Sequence, residues 1–255
     1  MTALAQRLKD RYFVNDDHPY RHFEQEVDRH LRPDHVLLDA GCGRTAPVLA
    51  SYRGRARRLV GVDMVTFEDP ASDIELHNGD LAAMPLESGT IDVAMARSVM
   101  EHVTDPAAVY AEMYRVLKPG GVFVFLTANL YDYASIVARL VPNRFHPWIV
   151  SKTEGRAEED VFPIAYRTNT RRSVRRWARQ AGFQVERFDY LGQYPSYFMF
   201  NGFLFLLATG YEKVIGSAKA LHFLRGWILA TLQKPASAPR ADTVRPGADA
   251  AIPLA

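Results

Sequence analysis

Apolar residues recur along this chain with two different periods. Up to about residue 35 the chain is polar, with Phe23, Val27 and Leu31 at helical spacing, which predicts a helical cap ahead of the first strand. Short continuous apolar runs then take over: Val36-Leu37-Leu38-Asp39-Ala40, Leu59-Val60-Gly61-Val62-Asp63, the weaker Ile74-Glu75-Leu76-His77, residues 91–96 and residues 122–127. Runs of this length, bounded by turn residues, fit strands buried on both faces. Helices fit at residues 46–52 and 107–117. The second puts Val109, Met113, Val116 and Leu117 on one face and is stopped by Lys118-Pro119-Gly120-Gly121. Strands alternating with helices imply an α/β, Rossmann-like, doubly wound sheet that is mostly parallel.

The second half is less regular. Residues 130–169 mix aromatic, proline and charged positions with no clear period. A helix follows over 170–181, with Val174, Trp177, Ala178 and Ala181 inward and Arg171, Arg172, Arg175, Arg176 and Arg179 outward, until Gly182 breaks it. Residues 183–188 and 227–232 read as two further strands. Between them, Tyr190 to Tyr211 carry no charge over 22 positions, but Pro195, Asn201, Gly192, Gly202 and Gly210 interrupt the run. That weakens a continuous membrane span. A helical hairpin inserted at 190–226 is expected instead, serving as a capping core, a dimer contact or, together with the arginines, a peripheral lipid contact. Residues 235–255, rich in Ala and Pro, are expected to be a disordered tail after a single domain over 1–234.

Composition narrows the function classes. The 255 residues are 48% hydrophobic and 24% charged with a net charge of +2, an ordinary globular balance with no global pull toward nucleic acid. One cysteine, Cys42, excludes an intrachain disulfide framework, and charges are mixed through the first thirty residues, so the expectation is a cytoplasmic protein, peripheral at most to a membrane.

Asp39-Ala40-Gly41-Cys42-Gly43-Arg44-Thr45-Ala46 is a glycine-rich turn leaving the first strand, and Asp63 ends the second strand 20 positions after Gly43. As Gly-x-Gly-x-x-Ala it matches a dinucleotide fingerprint, in which backbone amides hold a pyrophosphate. Asp39 argues against that, because an acid at the mouth of the turn repels a pyrophosphate and welcomes an ammonium. S-adenosylmethionine supplies a methionyl ammonium for such an acid and two ribose hydroxyls for Asp63.

The chain here resembles the class I S-adenosylmethionine-dependent methyltransferases, in particular the group that includes ubiquinone and menaquinone biosynthesis methyltransferases (type 11). Residues 36–43 are similar to the first motif, Leu59 to Met64 to the second, Asn78-Gly79-Asp80-Leu81-Ala82-Ala83-Met84-Pro85-Leu86 to the third, residues 91–103 to the fourth, and Val116 to Gly121 to the sixth. The likeness is close over about 35–130 and looser beyond it. It implies a seven-stranded sheet with an antiparallel last strand, a substrate roof over 130–169, and a cofactor site of Asp39, Gly41, Cys42, Gly43, Asp63, Met64, Asp80, Leu81 and Arg97. Ala46-Pro47 departs from the glycine-rich continuation many members carry.

No metal is expected, since the sulfonium carbon is already electrophilic and the protein has to orient the acceptor and exclude water. For an oxygen acceptor a general base helps, and His146 and His18 are the candidates. His102 reads as packing, and Cys42 as a backbone contributor to the turn. The expected partner is a small, lipophilic or lipid-linked methyl acceptor, with O-methylation first and C- or N-methylation second. Two rivals stand beside it, a nicotinamide-dependent oxidoreductase and a non-catalytic S-adenosylmethionine-binding module. The oligomeric state is open.

Overall fold

The computed structural model describes residues 1–13, 18–68, 73–133, 135–136 and 163–236. Of the expected roof over 130–169, residues 134 and 137–162, with His146, lie outside them, as do residues 237–255 of the expected tail.

The apolar runs form the sheet. β1 (Val36–Ala40) is buried at every position, as its uninterrupted apolar run requires. Around it stand β2 (Arg58–Asp63), β3 (Glu75–Asn78), β4 (Ile91–Arg97), β5 (Leu117–Ala128), β6 (Gln184–Leu191) and β7 (Trp227–Gln233) in the order β3-β2-β1-β4-β5-β7-β6. β7 runs antiparallel to both neighbours, and the strands β1 to β5 pair in parallel. This is the doubly wound, Rossmann-like sheet with an antiparallel last strand. Its order reverses between β1 and β4, the place where open α/β sheets bind ligands.

Helices cover both faces. α4 (Pro106–Val116) and α5 (Arg171–Ala181) pack Val109, Tyr110, Met113, Val174 and Ala178 on one side. α2 (Pro19–His30) and the short α3 (Pro47–Ala50) place Phe23, Val27 and Leu49 on the other. The caps are written locally: Asp105 accepts from Ala108 N, Thr170 and Ser173 form a capping box, and Gly182 ends α5 at φ 95°. α3 is shorter than its pattern suggests, because Ala46 enters it at φ 45° and the Ser51 hydroxyl bonds back to Val48 O, competing with a further helical turn. Lys118-Pro119-Gly120-Gly121 does stop α4, but by joining the sheet: β5 starts at Leu117, its register against β4 shifts between Ile91 and Val93, and Gly120 N donates to Lys234 O.

α2 is fixed to the far edge of the sheet by a buried acid. Glu26 accepts from Thr231 Oγ1 at 2.8 Å and from Arg187 Nη1. Burial alone would raise its carboxyl, but the bonds from Thr231 and Arg187 and the charges of Arg187 and Arg29 hold it below the usual range.

The insertion differs from the expected hairpin. It contains a single α-helix, α6 (Gly202–Ser217), between two 3-10 turns, Ser196–Phe198 and Lys219–Leu224. The hairpin's second arm is supplied by α1 (Ala3–Tyr12), which lies along α6: Thr2 N donates to Met199 O at one end and Lys213 Nζ to Tyr12 O at the other. A Cβ on Gly202 would stand 2.7 Å from Leu4 Cδ2, so glycine is what lets the two helices meet. Ala5, Met199 and Phe205 make a small separate core between them. Among the described residues no helix is long and apolar enough to cross a membrane.

Candidate functional site

Four adjacent strands deliver the expected cofactor residues to one edge of the sheet. The turn after β1 takes left-handed backbone at Gly41 (φ 83°), Gly43 (φ 73°) and Ala46 (φ 45°), so Ala46 does what a third glycine does elsewhere, at some strain. Gly41 N donates to Val62 O, and a Cβ on Gly41 would stand 2.4 Å from Val99 Cγ2. A Cβ on Gly43 would meet nothing within 4 Å, so the outer side of the turn is open. Cys42 packs its sulfur beside Gly61, and burial, with Asp39 and Asp63 nearby, pushes its thiol far up. It contributes backbone and volume, with no nucleophilic character.

Asp39 is 2% exposed, and its Oδ2 has no hydrogen-bond partner. Burial is the main reason its carboxyl rises to about 7; Arg97 opposes this and Asp63 adds to it. Asp63 accepts from Gly43 N at 2.7 Å and Val65 N at 3.2 Å, which ties the turn to the end of β2 while leaving acceptor capacity outward. Met64 is exposed beside it. Asn78 Nδ2 bridges Met64 O and Val65 O, fixing the ends of β2 and β3. Asp80 accepts from Ala82 N, and Leu81 is buried beneath it.

Arg97 ends β4. Its guanidinium lies 4.3 Å from the ring centroid of Tyr20 and 3.6 Å from Glu24. Tyr20 in turn meets Trp227 at 5.8 Å and His18 at 4.5 Å, edge to face. Next to Arg97, Ser98 has φ 58° and a buried Oγ with no partner. Beyond it Glu101 accepts from Thr127, which accepts from Asn169, whose own Oδ1 is buried without a partner. Three buried acceptors at the ends of β1, β4 and β5 are thus unmatched by the protein itself, and native proteins rarely leave such atoms without a role. Among the described residues no cluster is arranged for a metal ion.

His18, the second base candidate, caps α2: its Nδ1 accepts from Tyr20 N at 3.2 Å. In the neutral ring that places the proton on Nε2. His102 lies in a turn with Nδ1 3.2 Å from Pro163 O. The cavity beside His18, about 720 Å³, opens between α1, the start of α2, the end of β6 and α6, with Phe13, His22, Tyr194, Glu212 and Arg225 in its wall. Burial and then Asp132 raise the Glu212 carboxyl to about 7, with Arg225 opposing. Sequence reading missed Tyr20, Trp227, Glu212 and Asn169. None belongs to a motif, and only the sheet and cap bring them together.

Residues 38–125 match the methyltransferase domain family. A protein of Mycolicibacterium smegmatis named a probable S-adenosylmethionine-dependent methyltransferase is 38% identical over 107 residues, 38% of this chain and 40% of that protein. The ubiquinone biosynthesis O-methyltransferase of Hahella chejuensis is 33% identical over 144 residues, 48% of this chain and 58% of that one. The chain thus spans less than two thirds of these curated relatives. The solved geranyl diphosphate C-methyltransferase of Streptomyces coelicolor shares the fold, with a TM-score of 0.50 and 16% identity over 84% of this chain and 76% of that one.

Proposed function

We propose that this chain, whose residues 38–125 match the methyltransferase domain family, is a class I S-adenosylmethionine-dependent methyltransferase that binds S-adenosylmethionine where β1 and β4 part and transfers its methyl group to an oxygen of a lipophilic or lipid-linked small molecule. The observation that carries the reading is Asp39, a buried carboxyl with one oxygen unmatched at the mouth of a glycine turn. Such a group is stabilised by an incoming cation and repels a pyrophosphate. α3 adds only four residues behind the turn, too few for the helix dipole a dinucleotide site leans on.

The cofactor supplies an electrophilic methyl carbon, and the chain supplies orientation and a dry setting. Asp39 takes the methionyl ammonium, Gly41, Cys42 and Gly43 allow close backbone approach, and Asp63 takes ribose hydroxyls. Met64, Asp80 and Leu81 flank the adenine, Asp80 as acceptor for its amino group. Arg97 is held by Glu24 and Tyr20, and Tyr20 in turn meets His18, which lines the cavity. In that cavity Glu212 changes protonation near neutral pH, the property a proton acceptor for a hydroxyl needs. His18, whose Nδ1 is committed to the cap of α2, is less suited than Glu212 to take a proton. His146 stays a candidate base on residues outside those described.

Oxygen methylation of a lipophilic acceptor is consistent with the ubiquinone-pathway relative and with the aromatic wall of Phe13 and Tyr194. Methylation at carbon or nitrogen is the alternative. The outward apolar face of α6 also suits a non-catalytic module that docks on a partner, which would bind cofactor yet methylate nothing in a lipid and metabolite panel.

Calorimetric titration with S-adenosylhomocysteine tests the central claim. We expect micromolar-range binding by the wild type, abolished in Asp63→Ala and weakened at least tenfold in Asp39→Asn. Because the Asp39 carboxyl must be ionised to take the ammonium, affinity should fall about tenfold per pH unit below 7, and Asp39→Asn should be flat. A folded wild type that binds NADH and ignores S-adenosylhomocysteine would sink the reading.

A further inference from the structure

Helix α6 is built inside out. Its only charged residues are Glu212, which lies in the cavity wall, and Lys213, which lies over the Phe13 ring and donates to Tyr12 O. Phe205, Thr209 and Ile215 are buried. The opposite half of the helix, Phe203, Leu204, Leu206, Leu207, Gly210 and Val214, is exposed and carries no charge. Phe203 is 65%, Leu207 56% and Val214 59% exposed, at i, i+4 and i+11 of one stripe. A water-facing helix has the reverse pattern, and a contiguous apolar surface of this kind marks a contact.

The neighbouring helix supplies charge of one sign along the same side. On α1, Leu4, Arg7 and Arg11 recur at i, i+3 and i+7, and Leu4 is the residue that touches α6 at Gly202. By that spacing Arg7 and Arg11 fall on the same side of α1 as Leu4, with the Arg11 guanidinium 5.5 Å from the Tyr12 ring, while Asp10 accepts from Gln6. An apolar strip edged with arginines complements an anionic phospholipid surface, acyl chains against Phe203, Leu207 and Val214, phosphates against Arg7 and Arg11. With 16 residues and one buried face, α6 is shaped to lie in the interface and not to cross it.

We infer that the α1–α6 face is a docking surface for an anionic lipid bilayer, and that it delivers the methyl acceptor from that bilayer. The delivery half rests on the methyltransferase reading above. The same two helices that would meet lipid also wall the cavity: Tyr12 and Phe13 end α1, and Glu212 and Gly216 stand on the inner side of α6.

The test is co-sedimentation of the full chain with vesicles of phosphatidylcholine alone or with one third phosphatidylglycerol. We expect binding to the anionic vesicles only. Leu207→Glu should abolish it, and Arg7→Glu with Arg11→Glu should weaken it more than tenfold, from about fivefold per basic residue lost near the surface. An environment-sensitive label on Phe203→Cys should shift blue on binding, Cys42 being buried. The proposal is overturned if the wild type stays in solution with anionic vesicles, if Leu207→Glu binds as well as wild type, or if the protein is a dimer that Leu207→Glu dissociates and vesicles do not recruit. Each variant is also titrated with S-adenosylhomocysteine. Retained cofactor binding shows an intact fold, and a wild type that binds vesicles but no cofactor refutes the methyltransferase reading while leaving the lipid surface standing.

Discussion

Helix α5 turns five arginines to solvent and Val174 and Ala178 to the core, whereas α6 turns Glu212 inward and Phe203, Leu207 and Val214 outward. Both are capped by ordinary local means, Thr170 with Ser173 for one and Asn201 for the other. The difference lies in what each outer face meets. The arginines of α5 are covered by water and by their own aromatic neighbours, Arg171 over Phe188 and Arg176 over Trp177. Among the described residues the outer face of α6 has no such cover, and the proposed bilayer would supply a second, apolar medium there. Amphipathicity thus says that a helix has two environments, and only the fold says which side is which.

The sharpest way to break this contrast is to put an arginine on the face each helix claims as its own interior or exterior. Ala178→Arg buries a guanidinium under α5 and should cost about 4 kcal/mol or prevent folding, whereas Leu207→Arg on α6 should change stability by less than about 0.5 kcal/mol. Chemical denaturation midpoints measure both, and equal losses would mean that the outer side of α6 is packed.

A smaller effect separates the inner sides. The Glu212 carboxyl sits at about 7 in the folded chain against an ordinary 4.5, because burial, with Asp132 nearby, disfavours its charge. The neutral acid therefore contributes stability fully below pH 4.5, and that contribution is lost as pH rises through 7, by about 2 kcal/mol after allowing for partial exposure. Unfolding followed between pH 4.5 and 8 should slope less steeply in Glu212→Gln than in the wild type, the slope that remains coming from Asp39, whose carboxyl is raised in the same sense.

The smallest effect is one on which the two helices should agree. Thr170→Ala and Asn201→Ala each remove a side-chain cap and should each cost about 1 kcal/mol. A much larger loss in one would show that its cap carries tertiary load as well.

The cofactor half was legible because its chemistry is written in contiguous stretches. A buried parallel strand, a turn that needs φ above zero at Gly41 and Gly43, and an acid ending the next strand each leave a local mark, and β1 to β5 follow the apolar runs within a few residues. Asp39 was legible as the discriminating charge. What went unread was the company those residues keep. Arg97 is visible as a strand end, but Tyr20 and Glu24 reach it from a helix whose place against the sheet no local pattern specifies. Asn169 completes a chain to Thr127 and Glu101 across long sequence separations, and His18 reads as a free base until its ring is seen capping α2.

The sequence by itself determined the strand order of the chemistry: which turns are tight, which acids end strands, and that a charge-free run interrupts the sheet before its last strand. These are short-range properties, set by φ, by caps and by the period of apolar residues. The tertiary structure alone decided that α1 becomes the partner of α6 across some two hundred positions, that the cavity forms between them, and that the apolar half of α6 faces outward. Periodicity assigns a helix two faces but carries no sign. The sign comes from Leu4 meeting Gly202 and from Phe205 entering the small core with Ala5, contacts that exist only once the chain has closed on itself.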